Sequence, residues 1–261
     1  MRVVAVHADV IVFISRVWQT TCTTVRAGEE GFVIDSPVYP DELEGLPKVL
    51  GRAQFPVSGL LATHADWDHL LGRLSFPQAS LACAESSAAR LVAEPGSAQR
   101  SLRAFDAEHY VDERPPLAHA DVQSLPVPGR LELGSERELE LHPSPGHTAD
   151  GAAYWMPWTA VLVCGDYLSP VEIPMISEGG SVEAYAATLD RLGALVEKAE
   201  TIVPGHGAPM PRAQAQRVLD EDAAYLEALR ASGSDAALPR GRSTKPQREI
   251  HARNVAALDV G

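Results

Sequence analysis

Seven consecutive residues, THADWDH at 63–69, contain two histidines and two aspartates at a spacing that suits metal binding. In an extended segment alternate side chains point the same way, so those of residues 64, 66 and 68 can converge on one ion. His69 begins the next helix and would turn toward a second position. Imidazole nitrogens and carboxylate oxygens without a thiolate suit Zn²⁺, Mn²⁺ or Fe²⁺. The segment therefore predicts a metal-binding loop.

Three later segments each add one candidate ligand beside a glycine, which lets the backbone turn sharply or approach an ion closely. They are PSPGHTADG with His147, LVCGDYL with Asp166, and VPGHG with His206. The full set of candidate ligands is His64, Asp66, Asp68, His69, His147, Asp166 and His206. Seven ligands are too many for one tetrahedral ion, but they suit two ions that share a bridging carboxylate.

The elements that position these ligands are short apolar runs, which we predict to be strands. GLLAT at 59–63 ends at the first cluster, and AVLVCGD at 160–166 and TIVPGHG at 201–207 end at later ones. A strand that delivers a polar loop places a site on a rigid scaffold. Strands and helices alternate in two blocks, roughly 1–109 and 131–211. Helices are predicted over 41–53, 86–93, 97–109, 181–199, 212–231 and 247–258.

Three segments stand apart from this alternation. Residues 1–15 form a largely apolar run that His7 and Asp9 interrupt, and we predict that they form the first strand of the fold. Residues 110–130 are rich in proline and have no clean period, which predicts a long loop or insertion lying over the active site. Residues 232–246 have the composition of a linker ahead of the last helix.

Composition and charge exclude several classes of function. The formal net charge of −13 argues against binding to nucleic acid, because phosphate contacts need clustered lysine and arginine. The N-terminal apolar run has no signal-peptide pattern and is too short to cross a membrane, so we expect no membrane partner. The three cysteines are widely spaced and form no CxxC pair, which argues against a thiolate zinc site and fits a reducing cytoplasm.

Taken together, the motifs resemble those of a known superfamily. THADWDH resembles the HxHxDH signature of the metallo-β-lactamase-fold hydrolases, which include glyoxalase II and lactonases. His147, Asp166 and His206 match the remaining ligands of that superfamily in order and context, and Asp35 in FVIDS matches an aspartate that typically ends an early strand. The resemblance covers roughly residues 10–211. It implies an α/β fold, the four-layer αββα sandwich, with the metals at one edge of two facing sheets.

The resemblance also implies a role for each ligand. One ion would be held by His64, Asp66 and His147, and the other by Asp68, His69 and His206, with Asp166 as the bridge. Asp35 would hold the ligand loop without touching an ion. Residues 1–231 would form the metallo-β-lactamase-like domain, and 232–261 would be a linker and a C-terminal helix packed on the same domain.

Asp66 departs from the pattern, because the signature has histidine at this position and the chain reads HxDxDH. An aspartate is shorter and negatively charged, so it would make the first site harder and more anionic. We expect two divalent ions, with Zn²⁺ as the first choice and Mn²⁺ or Fe²⁺ as alternatives because of Asp66. The flavodiiron proteins carry a carboxylate here and bind iron, but 261 residues leave no room for their flavodoxin-like domain. Alternatively, Asp66 points away and the first site is poorly occupied.

A late histidine is the remaining candidate for catalysis. His251 and Asn254 share one face of the predicted last helix. Some members of the superfamily bring a late histidine to the metal edge as a proton donor, and a solvated helix face is the alternative for His251. A solvated linker or an anion-binding patch would account for the basic residues before it, which are Arg240, Arg242, Lys245 and Arg248.

These observations predict a metal-dependent hydrolase in which a metal-bound hydroxide attacks a small ester, thioester or lactone. Asp68 would orient the attacking water and accept its proton. Two alternatives stay open, which are a non-haem iron redox enzyme on the same fold and a degenerate metal-binding protein without catalysis. The expected partner is a small-molecule substrate, and the sequence leaves monomer and homodimer both open. Trp67, between two ligands, would either line the pocket or pack beneath the loop.

Overall fold

Two β-sheets pack face to face in the computed structural model, which describes residues 1–119 and 121–258 of the chain. The first sheet has seven strands in chain order, and these are β1 (Arg2–His7), β2 (Val10–Ile14), β3 (Thr21–Ala27), β4 (Glu30–Asp35), β5 (Gly59–Ala62), β6 (Leu81–Ala84) and β7 (Gln123–Leu125). Strands β1 to β4 are antiparallel, and β4 to β7 are parallel. Parallel strands deliver the loops that follow them to one edge of the sheet.

The second sheet has six strands in the order β13-β12-β11-β10-β9-β8. They are β8 (Gly129–Leu133), β9 (Arg137–Pro143), β10 (Ala152–Met156), β11 (Val161–Val163), β12 (Thr201–Val203) and β13 (Met210–Pro211). Only the pair β11 and β12 is parallel within the described sheet. Asp166 and His206 therefore emerge at the same edge of the sheet, just beyond the ends of these two strands.

Helices cover the outer faces of both sheets. They are α1 (Pro40–Arg52), α2 (Gly72–Ser75), α3 (Glu85–Ala93), α4 (Ser97–Glu108), α5 (Val182–Val196), α6 (Arg212–Ser232) and α7 (Lys245–Leu258). Leu46 and Leu50 of α1 pack with Leu60 on the first sheet, and Leu192 of α5 packs with Ile202 on the second. The four layers confirm the predicted αββα sandwich. Among the described residues, no helix has the length and apolar character that crossing a membrane requires.

The core between the sheets explains why several strands read as unbroken apolar runs. Ile34 and Leu61 of the first sheet meet Leu141, Tyr154 and Val163 of the second in one buried cluster. Every residue of β5 and of β10 is buried, because each strand is covered by a helix layer on one face and by the opposite sheet on the other. The Tyr154 hydroxyl also donates a hydrogen bond to the Ala62 carbonyl, 2.8 Å away, and joins the two sheets beside the ligand loop.

The N-terminal run forms two strands rather than one. The turn between β1 and β2 falls at the polar residues that interrupt the run, and the Asp9 amide donates to His7 Nδ1 at 3.0 Å. The prediction of a single strand over residues 1–15 was therefore wrong. A hairpin satisfies the backbone of both strands, which an isolated long edge strand would leave open to solvent.

The segment 110–130 adds to the first sheet instead of covering the site. It supplies the edge strand β7, and the buried Arg114 guanidinium binds Asp106 of α4 at 2.9 Å and the Val38 carbonyl at 2.6 Å. These contacts hold the segment against α4. Residue 120 lies outside the described residues.

The predicted linker and last helix pack on the second sheet. Ala236 and Ile250 are buried in the same cluster as α5 and α6, and α7 begins at Lys245, two residues before its predicted start. Arg242 is neither solvated nor free to bind an anion, because its side chain is 3% exposed and lies 2.6 Å from Asp222. Residues 259–261 of the predicted C-terminal segment lie outside the described residues.

Candidate metal centre

All seven predicted ligands meet at one edge of the two sheets. The loop after β5 brings His64, Asp66, Asp68 and His69, the loop between β9 and β10 brings His147, and the segments after β11 and β12 bring Asp166 and His206. Their ligand atoms form three groups, each within 4.8 Å of one another, which are His64, Asp66 and His147; His64, His69 and Asp166; and Asp68, His69 and His206. The first and third groups are the two ligand triads that the resemblance implied.

The Asp166 carboxylate lies between the two triads. Its Oδ2 atom is 3.4 Å from His147 Nε2 and 3.2 Å from His206 Nε2, and its Oδ1 atom is 3.2 Å from His69 Nε2. His64 Nε2 is 3.8 Å from the same Oδ2 atom. One carboxylate thus faces imidazoles of both triads, which is the arrangement a bridging ligand needs.

Buried ligand atoms without hydrogen-bond partners show that the residues fit a cation. Among the described residues, His64 Nε2, His69 Nε2 and Asp166 Oδ1 are buried and make no hydrogen bond of acceptable geometry. Buried polar atoms without a partner are costly, so a native site with several of them needs a ligand. Nitrogen and oxygen donors without sulfur suit a divalent ion such as Zn²⁺, Mn²⁺ or Fe²⁺.

The carboxylates of Asp66 and Asp166 are held in their ionised form. Burial acts to raise the pKa of Asp66 and Asp166, but hydrogen bonds and charges of the neighbouring imidazoles outweigh it and keep both pKa values well below their usual range. Burial likewise acts to lower the pKa of His147 and His206, yet the carboxylates raise it to about 9 and about 10. An ion that binds here would displace protons from these imidazoles.

Asp35 supports two of the ligands from behind, as the resemblance implied. Its Oδ2 atom lies 3.0 Å from His69 Nδ1, and its carboxylate accepts hydrogen bonds from the Thr63 amide at 2.7 Å and the Thr63 hydroxyl at 2.9 Å. The same hydroxyl lies 3.1 Å from His64 Nδ1. Outer partners of this kind fix the ring orientation, so that the Nε2 atoms of His64 and His69 face the cluster.

His147 and His206 are oriented in the same way by backbone carbonyls. His147 Nδ1 lies 2.8 Å from the Met175 carbonyl, and His206 Nδ1 lies 3.2 Å from the Trp18 carbonyl. All four imidazoles therefore direct Nδ1 outward and Nε2 toward the cluster. In metal sites the distal nitrogen of a histidine ligand usually faces a carboxylate, a carbonyl or water; three of these imidazoles face a carboxylate or carbonyl, and His64 faces the Thr63 hydroxyl.

Gly205 explains why the VPGHG motif needs glycine directly before its histidine. A Cβ atom at this position would lie 2.1 Å from Asp166 Oδ1 and 2.9 Å from the Gly165 backbone. Only a residue without a side chain lets the loop after β12 pass this close to the bridging carboxylate. Gly205 is therefore required for Asp166 and His206 to lie as close together as they do.

The cluster opens into a cavity of about 610 Å³. Aromatic rings of Trp18 and Trp67 form one wall, and Ile173, Met175 and Ile250 form the other. Trp67 lines the cavity and also packs edge-on against Trp18, with ring centroids 5.8 Å apart, so both interpretations of this residue hold. None of the described residues of 110–130 lines the cavity, and the expectation that this segment covers the site was wrong.

Trp18 and Glu172 are among the cavity residues that the sequence did not indicate. Trp18 lies on the turn between β2 and β3, where an aromatic residue has no motif around it. Glu172 lies six residues beyond Asp166, and burial raises its pKa, with Asp166 and Asp68 adding to the effect and His206 opposing it. Nothing local to these positions signals a site, because their partners come from distant parts of the chain.

The structure does not bring His251 to the metal cluster. Its Nδ1 atom lies 3.0 Å from the Tyr225 hydroxyl and its Nε2 atom 3.2 Å from the Ser234 carbonyl. The expected proton donor is therefore not found at the metal edge. The inward face of α7 carries Gln247, Ile250 and Asn254 instead, all of them buried.

Asn254 takes part in the site indirectly. Its Oδ1 atom accepts a hydrogen bond from the Ile176 amide at 2.9 Å, and its Nδ2 group donates to the Pro174 carbonyl at 2.7 Å. The backbone between these two residues carries the Met175 carbonyl that orients His147. Asn254 therefore holds a loop on which one ligand depends.

Replacing Asn254 with alanine is expected to lower the free energy of unfolding by about 1–3 kcal/mol, because it leaves a buried amide without its partner. Because the 174–176 backbone loses its hydrogen bonds to Asn254, the Met175 carbonyl should also fix the His147 ring less firmly, and the metal content should fall. Urea denaturation and metal analysis measure the two effects. His251→Ala, on the same helix, is the control and should retain its metal, and equal metal loss in both variants would contradict the role assigned to Asn254.

Comparison with known proteins supports the same family as the site geometry. A family model for the metallo-beta-lactamase superfamily matches residues 15–206. A metallo-beta-lactamase family protein from Thermus thermophilus superposes with a TM-score of 0.69 at 21% identity, covering 98% of this chain and 94% of that one. A metallo-beta-lactamase from Pontibacter korlensis gives a TM-score of 0.61 at 19% identity, covering 84% and 97%.

The DIM-1 metallo-beta-lactamase is similar to the same degree, with a TM-score of 0.61 at 17% identity over 84% of this chain and 94% of that one. At these identities the likeness of the solved structures establishes the fold alone. No functionally curated protein matches the chain.

Proposed function

Because the chain belongs to the metallo-beta-lactamase superfamily, we propose that it is a dinuclear metal-dependent hydrolase of a small ester, thioester or lactone. The observation that carries the proposal is the position of Asp166, whose carboxylate lies 3.2 to 3.8 Å from imidazole nitrogens of both triads. A carboxylate shared in this way suits a pair of ions a few ångströms apart.

The residues around the ions have separate tasks. Two divalent ions held here would lower the pKa of a shared water to about 7 and polarise a substrate oxygen. Asp68 lines the cavity with its Oδ2 atom 3.7 Å from His206 Nε2, where it can orient that water and accept its proton. Four imidazoles among seven ligands favour Zn²⁺, and the carboxylate of Asp66 keeps Mn²⁺ and Fe²⁺ as alternatives.

The cavity suits a small organic substrate. A volume of about 610 Å³ falls within the range of small-molecule sites, roughly 300–1,000 Å³. Trp18 and Trp67 offer flat apolar surface to an acyl chain or ring, and the carboxylates of Asp66, Asp68 and Asp166 line the same cavity. Aromatic side chains stabilise such groups mainly by burying their surface.

Metal analysis tests the proposal first. Protein purified without added metal should contain about two zinc ions per chain by inductively coupled plasma mass spectrometry, and Asp66→Ala should contain about one. The exposed Asp190→Ala is the control and should match the wild type. Activity should then appear with at least one member of a panel of esters, thioesters, lactones, β-lactams and phosphodiesters.

Each contrary result identifies a different alternative. Two irons per chain with consumption of oxygen or a peroxide would favour a redox enzyme. One ion in both wild type and Asp66→Ala would remove Asp66 from the ligand set and end the two-ion mechanism. One ion or none, with no turnover of any panel member, would indicate a metal-binding protein without catalysis.

We further propose that the protein works in the cytoplasm on a diffusible substrate. Its three cysteines are all free and buried, a usage common in reducing compartments. A net charge of −13 disfavours nucleic acid as a partner.

A further inference from the structure

The two oxygens of Asp66 face opposite directions. Oδ2 lies 3.3 Å from His147 Nε2 and 3.7 Å from His64 Nε2, on the side of the first ion. Oδ1 lies on the other side, 2.8 Å from Nη2 of Arg90. Asp66 thus offers one oxygen to the triad and gives the other to a guanidinium of α3.

Arg90 is itself anchored to the loops that carry the ligands. Its Nη1 group lies 2.9 Å from Oδ1 of Asp150, whose side chain is 2% exposed. The other oxygen of Asp150 accepts a hydrogen bond from the Ala65 amide at 2.9 Å, next to Asp66 in the chain. The two Nη groups of Arg90 therefore bind Asp66 and Asp150, which belong to or are bonded to the ligand loop, while its Nε group lies 3.4 Å from Glu94 at the C-terminal end of the same helix.

The space behind Asp66 shows why such an anchor is needed. A cavity of about 140 Å³ adjoins Asp66 on the Arg90 side, with Ser97 and Ser101 on its far wall. A carboxylate without the guanidinium would have room to rotate away from His64 and His147. Arginine fixes a carboxylate more firmly than lysine does, because its planar fork holds two directions at once.

We propose that Arg90 is a positioning residue for the first ion, which fixes Asp66 through Oδ1 so that Oδ2 alone faces His64 and His147. Aspartate at position 66 and arginine at position 90 then act as one unit that takes the place of the usual histidine. The arginine also offsets part of the negative charge that aspartate brings, so the first site is less anionic than the sequence alone indicated. The inference rests on the proposed metal centre but does not depend on hydrolysis.

A double-mutant cycle on metal binding tests this unit, with zinc per chain measured at a series of fixed free zinc concentrations. Arg90→Met should weaken the first site about 10- to 100-fold, the usual loss when an outer partner of a ligand is removed. In the Asp66→Ala background, at free zinc concentrations high enough to load its weakened first site, the same substitution should add no further loss, because its effect passes through Asp66. Arg130→Met, which removes an exposed pair with Glu138 on β9, is the control and should bind like the wild type.

Arg90→Lys separates geometry from charge. Lysine keeps the positive charge but lacks the fork, so the proposal expects most of the loss to remain. Circular dichroism of the metal-free proteins verifies that each variant folds. If Arg90→Met does not fold, the zinc affinity of Arg90→Lys tests the proposal instead.

Three results would overturn the inference. The first is that Arg90→Met binds zinc in the first site as tightly as the wild type does. The second is that Arg90→Met lowers zinc affinity as much in the Asp66→Ala background as in the wild type, and the third is that Arg90→Lys binds zinc like the wild type. If the wild type binds no ion in the first triad, the proposed function falls together with the inference. If the wild type binds two ions and Arg90→Met binds them equally well, the inference alone falls.

Discussion

Replacing Asp68 with alanine is expected to reduce kcat/KM by about 10²- to 10⁴-fold on the best substrate of the panel, because general-base catalysis contributes that much. The Asp68 carboxylate lines the cavity, 3.6 Å from His69 Nε2 and 3.7 Å from His206 Nε2. Alanine removes both the proton acceptor and one ligand of the second triad. Steady-state kinetics and metal analysis measure the two consequences together.

The fold should survive the substitution. The Asp68 carbonyl still accepts its hydrogen bond from the Ser36 hydroxyl at 3.1 Å, so the loop keeps its backbone anchor. Asp68→Asn keeps the shape of the side chain without its basicity and should be nearly as inactive. Asp41→Ala, at an exposed surface pair, is the matched control and should stay within about twofold of the wild type. A loss below about tenfold in Asp68→Ala would exclude the role assigned to this carboxylate.

Replacing Asp222 with alanine is expected to lower the free energy of unfolding by about 3–5 kcal/mol, the usual cost of removing one partner from a buried ion pair. Asp222 and Arg242 are 1% and 3% exposed, and their charged atoms lie 2.6 Å apart. The Arg242 guanidinium also donates to the Ser169 and Glu172 carbonyls, which belong to the cavity loop. Urea denaturation of both proteins at about pH 8, above the titration of Asp222, measures the difference.

Glu221 provides the matched control for this pair. It contacts the same arginine at 2.9 Å, but its side chain is 44% exposed, so Glu221→Ala should cost less than about 1 kcal/mol. An equal loss in the free energy of unfolding for Asp222→Ala and Glu221→Ala would show that the burial of the Asp222–Arg242 pair does not determine its contribution to stability.

The pH dependence gives a second readout. Burial raises the pKa of Asp222 to about 7 although Arg242 opposes the rise. A carboxyl whose pKa is higher in the folded state takes up protons on folding, so its contribution to stability falls as the pH rises from about 4 to about 7. The stability difference between the wild type and Asp222→Ala should therefore become smaller as the pH rises through this range.

Most of the ligands could be predicted from the sequence because they lie in short motifs within a few residues of a buried strand. His64 follows β5, and Asp166 and His206 follow β11 and β12, so the apolar runs predict which edge these ligands reach. His147 follows the half-buried β9, and only the glycine beside it indicated a site. Helix boundaries followed from the same local signals. Ser181 caps α5 by accepting a hydrogen bond from the Ala184 amide, a role that serine favours at helix N-termini.

Several errors concern residues whose partners are distant in the chain. The basic residues around Arg242 were predicted to be solvated or to bind an anion, because the sequence does not show that Arg242 pairs with the buried Asp222 of α6. Nothing in the sequence near Arg90 indicates that this residue contacts Asp66. His251 and Asn254 look equivalent on a helical wheel, and only the packing of α7 against the 173–176 loop decides which faces inward. The periodicity of a sequence indicates which residues share a face of a helix, but it does not indicate which part of the protein that face packs against.

The division of ligands between the two sheets has a consequence for how the protein folds and persists. His64 and Asp66 come from one sheet, while His147 and His206 come from the other, so neither half holds a complete triad. The full ligand set of each triad therefore exists only once the halves have docked, so an ion bound by a complete triad would stabilise the docked state. Metal uptake would then be a late step in the maturation of the protein. Metal depletion of the cell would make the protein more susceptible to proteolysis as well as inactive.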